Sequence, residues 1–491
     1  MPNKLNKVKH LVVLMLENRS FDHLLGYLKA LGIKPAIDGL TGTETIPTDP
    51  VSGTGPVTVS SNAGDTEPDP DAGHEIADVS RQFYGQVNLT FPPGGPMNGF
   101  IASYAGQSPA PASPGDIMKC VHPTRIPALA ELATRFCVCD RWFASVPGST
   151  WPNRMFAHAA TSDGAVTNVV NLVFRPTIFD WLSLRGRDWR IYYHDLPQAA
   201  LFASLFAEWL VSPITRRFRL FPRRWKKDLA GNRCRLPEYT FIEPRYFTLG
   251  SVPANDQHPS HSIARADRLV RAVYEPLRAS PCWEHSMLII VHDEHGGTYD
   301  HRFPDPATVS PDGLSQMPPF NFTRYGARVP AVIVSPWASD GVCSDVYDHA
   351  SIPATLEQRF GLPPLTARDL AANSLGGCLT RSQPRLTPAE APLKLAAAAL
   401  RQSRADRRAL NPRRHGLSSL QATLVRLADH IRIPGEDRSK LRPLASIRTE
   451  QQGAEFVKER VAALIRATRP GPRPRRRATR AARRRGRRRG R

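Results

Sequence analysis

Two places in this 491-residue chain set polar side chains directly after an apolar run. LVVLML at 11–16 is followed by Glu17 and Asn18, and MLIIVH at 287–292 by Asp293 and Glu294. Brought together, these carboxylates and the amide are hard oxygen donors of the kind a divalent cation takes. Crowded without a cation, the carboxylates would repel and raise one another's pKa. The same groups also suit helix capping or pairing with Arg19 and other arginines, and spacing alone leaves both readings open.

A third stretch, SVPGSTWPNR, supplies hydroxyls. Pro147 and Gly148 form a turn that presents Ser149 and Thr150, with Pro152 at a helix start and apolar spacing beyond it. A hydroxyl there faces free amides and the positive end of a helix dipole, which suits phosphate and favours an alkoxide nucleophile. It equally suits an ordinary N-cap. Around these segments gather His74, His258, His261, His292, His295, His301 and His349, each in or beside a polar stretch rich in Gly or Pro. Imidazole near neutral pH binds a phosphoryl oxygen or protonates a leaving alkoxide.

Elements that could position these groups follow from periodicity. Residues 10–16, 287–292 and the run RVPAVIVSPW read as buried strands, while Leu129–Phe143, Asp267–Leu277 and HASIPATLEQRFG contain helical spacing. Apolar strands alternating with helices predict an α/β fold with a mainly parallel sheet covered by helices on both sides. In such a sheet the ligand site lies beyond the carboxyl ends of the strands, where Glu17, Asn18, Asp293 and Glu294 fall. Residues 176–250 read as an insertion within a catalytic domain spanning 1–383. From 384 to 468 the composition turns to Ala, Leu and Arg with helical spacing, a C-terminal extension without identifiable chemistry.

The remaining features bear on location and partners. A 41% hydrophobic share supports a sizeable core, and the absence of a run of about 20 apolar residues argues against a membrane-spanning helix. Lys4, Lys7 and Lys9 precede Leu11–Leu16, but that run is too short for a signal-peptide core and stops at Glu17. The expectation is a cytoplasmic or peripheral membrane protein. Of the net charge of +22, thirteen arginines lie in the tail 469–491, which is expected to be disordered and suited either to nucleic acid or anionic lipid, or to no partner at all. A nucleic-acid-binding protein acting through this tail is the competing class of function. The segment RRFRLFPRRWKK at 216–227 mixes seven cations with Phe218, Phe221 and Trp225, a composition suited to an anionic membrane surface or simply to a solvated loop. Seven cysteines make no disulfide framework and are expected to be mostly reduced and buried; Cys137 and Cys139 would share one face of a strand.

ENRSFDH at 17–23, TWPNR at 150–154, NDQHP at 255–259 and DEHGGTYDH at 293–301, in that order, resemble the phosphoesterase family of bacteria and plants. That family includes non-specific phospholipases C and related acid phosphatases, and the resemblance runs from about residue 8 to 362. It implies an alkaline-phosphatase-like core and one divalent metal ion of uncertain identity, held by Glu17, Asn18, Thr150, Asp293 and Glu294. Thr150 would be the nucleophile, with Ser149 second in rank. His74, His258 and His349 would line the phosphate pocket, one of them protonating the leaving group, and His301 and Asn153 would help bind substrate. The implied reaction is hydrolysis of a phospholipid or other phosphoester through a phosphothreonine, with phosphomonoesters as the alternative substrate. HPSHS departs from the family pattern, which has an acidic residue near Ser262, so the resemblance does not carry His261 over as a site residue. DHRF departs where an apolar residue often follows the His, which touches only the pocket wall.

Overall fold

A computed structural model describes residues 4–168, 172–214, 216–304, 307–386, 416–433 and 435–468. The arginine-rich tail and most of 384–415 lie outside the described residues.

Among the described residues there are ten strands: β1 (His10–Leu16), β2 (Thr45–Ile46), β3 (Val57–Thr58), β4 (Cys137–Cys139), β5 (Trp189–Tyr193), β6 (Phe218–Leu220), β7 (Tyr239–Ile242), β8 (Ser286–His292), β9 (Ala331–Val334) and β10 (Val342–Cys343). Eight of them form one sheet in the order β10-β4-β9-β8-β1-β7-β5-β6, and β2 and β3 pair separately. β9, the expected strand within RVPAVIVSPW, runs antiparallel to both neighbours, while the other pairings of this sheet are parallel. Every residue of β1 from Leu11 onward and all of β8 are buried, so both faces of the centre are covered. Burying each such Leu, Val or Ile stabilises by about 1.5–3 kcal/mol, enough for the strands to carry polar groups at their ends.

The segment 176–250, expected as an insertion, supplies β5, β6 and β7, with β7 paired directly to β1. Its aromatic residues are core: Phe218 and Trp225 are fully buried and Phe221 nearly so, which withdraws them from any membrane surface. The expected helices appear at Pro127–Arg135, Ile263–Arg278 and Ser351–Phe360. The extension forms two mutually packed helices, Ser419–Asp429 and Glu450–Thr468. Among the described residues no helix is long and apolar enough to cross a membrane.

Five cysteines are free, as expected, but Cys234 and Cys282 form a disulfide. Their 48-residue separation left no spacing signal. The bond ties the segment before β7 to the turn that enters β8.

Candidate active site

Parallel pairing of β1 with β8, in register from His10↔Ser286 to Leu16↔His292, delivers Glu17 and Asp293 side by side. Asn18 turns away in the left-handed region at φ 51, and its amide donates to Asp293 Oδ1 at 3.0 Å. The Glu294 amide donates to the same oxygen at 2.7 Å. Gly296 N–H donates to Glu294 Oε2 at 2.6 Å. A Cβ at Gly296 would stand 2.2 Å from the Asn18 carbonyl oxygen, so the DEHGG turn needs glycine there to pass the end of β1.

Thr150 opens the helix Thr150–Ala159 and donates from Oγ1 to Asn18 Oδ1 at 3.2 Å. Ser149 occupies the N-cap position without capping; its Oγ donates to Glu75 Oε2 at 2.6 Å. Asn168 caps instead, accepting from Trp151 N at 2.7 Å. Glu17, Asn18, Thr150, Asp293 and Glu294 are all fully buried and form one constellation.

Arg154, one helical turn beyond Thr150, holds this constellation together. Its Nε donates to Asp293 Oδ2 at 3.0 Å, its Nη2 pairs with Glu17, and its Nη1 donates to Tyr246 Oη at 3.1 Å. Burial raises the pKa of both Glu17 and Asp293, and Arg154 opposes that rise. Glu17 Oε2 and Glu294 Oε1 have no hydrogen-bond partner. Buried acceptors of this kind carry a large desolvation cost that a divalent cation would offset, although among the described residues the acidic and imidazole groups gathered tightly enough to share one ion are Asp71, His74 and His258, and Asp22, Asp300 and His301.

Next to the constellation lies a cavity of about 550 Å³ lined by Asp71, His74, Glu75, His258 and His261, and by Ser419, Gln421 and Glu450 of the C-terminal helices. The rings of His74 and His258 meet edge to face with centroids 6.0 Å apart. His74 Nδ1 donates to the Ala72 carbonyl at 2.9 Å. Burial disfavours the charge on His74, but Glu294, Asp71 and Glu75 outweigh it and push the pKa up to about 10. His258 is the opposite case: burial first, then His261 and His74, hold it well below the ordinary histidine range. Neighbouring charge and burial thus push the two imidazoles in opposite directions. His261 belongs to it too, with Nδ1 2.7 Å from Asp256 Oδ1 and Nε2 3.5 Å from Glu450 Oε1.

Three expected site residues stand elsewhere. His349 is buried, with Nε2 2.5 Å from the Asp293 carbonyl and Nδ1 accepting from Trp142 at 3.3 Å; burial brings its pKa down to about 4. Both ring nitrogens are occupied, so it braces the Asp293 backbone. His301 lies with Asp22, Asp38, Asp300 and Arg328 in a separate ionic network. Asn153 spends its side chain on the preceding turn, donating to the Val146, Gly148 and Ser149 carbonyls and accepting from Val146 N at 2.9 Å.

Arg154, Asn168 and the C-terminal wall escaped sequence reasoning. Arg154 alone left a signal, its spacing of four from Thr150, which places both on one helix face.

A hydroxyl at a helix N-terminus beside an amide and carboxylates, at the carboxyl edge of an α/β sheet, suits phosphoryl chemistry. The chain belongs to the Phosphoesterase family, whose model matches residues 8–363. Among curated relatives, non-specific phospholipase C6 of Arabidopsis thaliana is 37% identical over 94% of this chain and 88% of its own length. Non-specific phospholipase C3 of the same plant is 38% identical, covering 77% of this chain and 74% of its own. Phospholipase C B of Mycobacterium tuberculosis is 26% identical, covering 74% and 75%.

Proposed function

We propose that this protein is a phosphoester hydrolase of the phospholipase C type, releasing diacylglycerol and a phosphorylated head group through a phosphothreonine at Thr150. The observation that carries this reading is the Thr150 hydroxyl, buried at a helix N-terminus and hydrogen-bonded to Asn18 beside Glu17, Asp293 and Glu294. The family and the names of the relatives support the substrate class.

Glu17, Asn18, Thr150, Asp293 and Glu294 would hold one divalent cation, which when bound lowers the pKa of the hydroxyl and offsets negative charge on the phosphoryl oxygens. The chain's own residues do the rest. Asn18 Oδ1 orients the Thr150 hydroxyl, and the helix N-terminus favours its deprotonated form. Thr150 Oγ attacks phosphorus in line; the bond to phosphorus forms as the bond from phosphorus to the glycerol oxygen breaks. His74 is tied through Nδ1 to Ala72, so its Nε2 is free to bind a phosphoryl oxygen and to give its proton to the departing alkoxide. Water then attacks the phosphothreonine, losing one proton to the neutral His74, as the bond from phosphorus to the Thr150 oxygen breaks and that oxygen regains from solvent the proton it gave to solvent before its attack. His258 lies beside His74 in the same pocket, ring edge to ring face.

Arg223, Lys226 and Lys227 remain outward-facing after their aromatic neighbours are buried, and they supply positive charge toward an anionic lipid surface. The Cys234–Cys282 disulfide favours an oxidising compartment over the cytoplasmic one.

The test is hydrolysis of phosphatidylcholine vesicles and of p-nitrophenyl phosphate by wild type and Thr150→Ala. Phosphocholine release that disappears in the variant supports the reading. Cleavage confined to the nitrophenyl ester replaces it with a phosphomonoesterase, and equal inactivity of both proteins on both substrates overturns it.

A further inference from the structure

None of RRFRLFPRRWKK at 216–227 lines the pocket described above, yet Phe221, Pro222 and Lys226 from it line a second cavity, of about 320 Å³. The helix Ile263–Arg278 supplies Arg265, Arg268, Leu269 and Ala272 to the same cavity. Their spacing at i, i+3, i+4 and i+7 places them on one helical face. Arg245 and the stretch from Val252 to Asn255 contribute the rest of the wall, so three separate parts of the chain meet there.

The charge of this wall is of one sign. Lys226, Arg245, Arg265 and Arg268 line it, and among the described residues no Asp or Glu does. Asp65, Asp195 and Asp256 act on the guanidiniums through space without joining the wall. Burial first, then Arg268, with Arg245 adding, hold the Arg265 pKa below the ordinary arginine range against the pull of Asp65. Like charges crowded in this way are what a bound anion relieves. Arg245 is fixed in place: its Nη1 donates to the Pro253 carbonyl at 3.2 Å, its amide donates to Asn255 Oδ1 at 2.6 Å, and its carbonyl accepts from Asn255 N at 3.0 Å. A guanidinium already ordered loses little freedom on binding. Phe221, Val252 and Leu269 give the cavity an apolar side, with the His194 ring packed on Phe221 at a centroid distance of 4.9 Å.

We infer that this cavity is a phosphate-binding site separate from the phosphoester pocket, taking the terminal phosphate of an anionic lipid or the free ion. A phosphate dianion presents several acceptor oxygens, which suit the planar forks of Arg245, Arg265 and Arg268 with Lys226 as a point charge. The apolar side receives the glycerol end of a lipid such as phosphatidic acid. The segment 252–258 lines both cavities, through Val252, Pro253 and Asn255 here and through His258 in the phosphoester pocket. Between them the Asp256 carbonyl accepts from Glu17 N at 2.9 Å, and Asp256 Oδ1 is 2.7 Å from His261 Nδ1. A phosphate held by Arg245 therefore braces the segment that carries His258. The binding itself does not depend on the phospholipase reading.

Equilibrium dialysis of the full chain tests this, with inorganic phosphate in one arm and soluble dihexanoyl phosphatidic acid in the other, both in chelator so that the lipid stays intact. Wild type is expected to bind one equivalent more than the double variant Lys226→Glu with Arg268→Glu. Either reversal alone should weaken that equivalent by about tenfold or more, the worth of a charge-assisted hydrogen bond. Equal stoichiometry and affinity in wild type and double variant overturn the site and leave only phosphate held in the phosphoester pocket. Tighter binding of the lipid than of the ion supports the site with a lipid head group as its source, and equal binding supports it with the free ion. A second measurement needs no variant: phenylglyoxal modification of wild type, read by peptide mapping. Phosphate should slow the reaction of Arg268 and leave that of exposed Arg223 unchanged, and an Arg268 rate unaffected by saturating phosphate overturns the site.

Discussion

Arg154 Nε donates to Asp293 Oδ2 at 3.0 Å across 139 residues of chain, and neither side chain reaches solvent. The same guanidinium pairs with Glu17, so one cation from the helix that Thr150 opens fixes the acids of both central strands.

Arg154→Met should therefore leave two buried carboxylates without their partner. Breaking a buried pair on one side costs about 3–5 kcal/mol. Urea denaturation should show a loss of that order together with lost hydrolysis, and an unchanged midpoint would mean that the acids do not depend on the guanidinium.

Chelation should abolish turnover, and returning a divalent cation should restore it. Glu294→Gln keeps the shape but removes a charge, so the variant should need a higher cation concentration for half-maximal rate. Rates measured against free cation concentration check this; an identical curve removes Glu294 from the ligand set.

His301 gives stability a defined pH dependence. Burial opposes its charge, but the hydrogen bonds that the protonated ring donates to Asp22 and Asp38 prevail and raise the folded pKa to about 10, above the usual histidine value of about 6.5. The contribution is complete below about 6.5 and is lost as pH rises through about 10, because over that window the unfolded chain has already released the proton that the folded chain retains. Thermal midpoints across the window should fall less steeply in His301→Gln than in wild type, and parallel curves would contradict the assignment.

Removing the disulfide as Cys234→Ser with Cys282→Ser should cost about 2–5 kcal/mol in oxidised protein. Denaturation with and without reductant should bring wild type down to the variant only when reduced. A variant as stable as oxidised wild type would show that the bond adds nothing.

Glu450 accepts from Thr248 N and pairs with His261 at the cavity rim. Glu450→Ala should raise KM for a lipid substrate more than it lowers kcat, since the residue shapes the wall and touches no reacting atom. An equal fall in kcat and kcat/KM would place it in the chemistry instead.

Much of the constellation could be read without coordinates because it follows apolar runs: once β1 and β8 are strands of one sheet, Glu17, Asn18, Asp293 and Glu294 must emerge at the same edge. Loop side chains obey no such period. His301 and His349 sit in motifs of the same polar character as His74, yet Asp22 and Asp38 claim one and the Asp293 carbonyl and Trp142 the other. Asn153 is likewise taken by the turn before it. WRIYY and YTFI are aromatic and set among cations, so the stretch 176–250 read as an attachment, and only pairing across more than two hundred residues made β7 the neighbour of β1. Trp225 was misjudged for the same reason: composition records that an aromatic is present, and packing decides which way it faces.

One wall of the cavity comes from residues 416–450, far downstream of every proposed catalytic group. The groups proposed for the chemistry and the wall that faces them are therefore separable along the chain: taking away 416–468 would remove one side of the cavity and none of those groups.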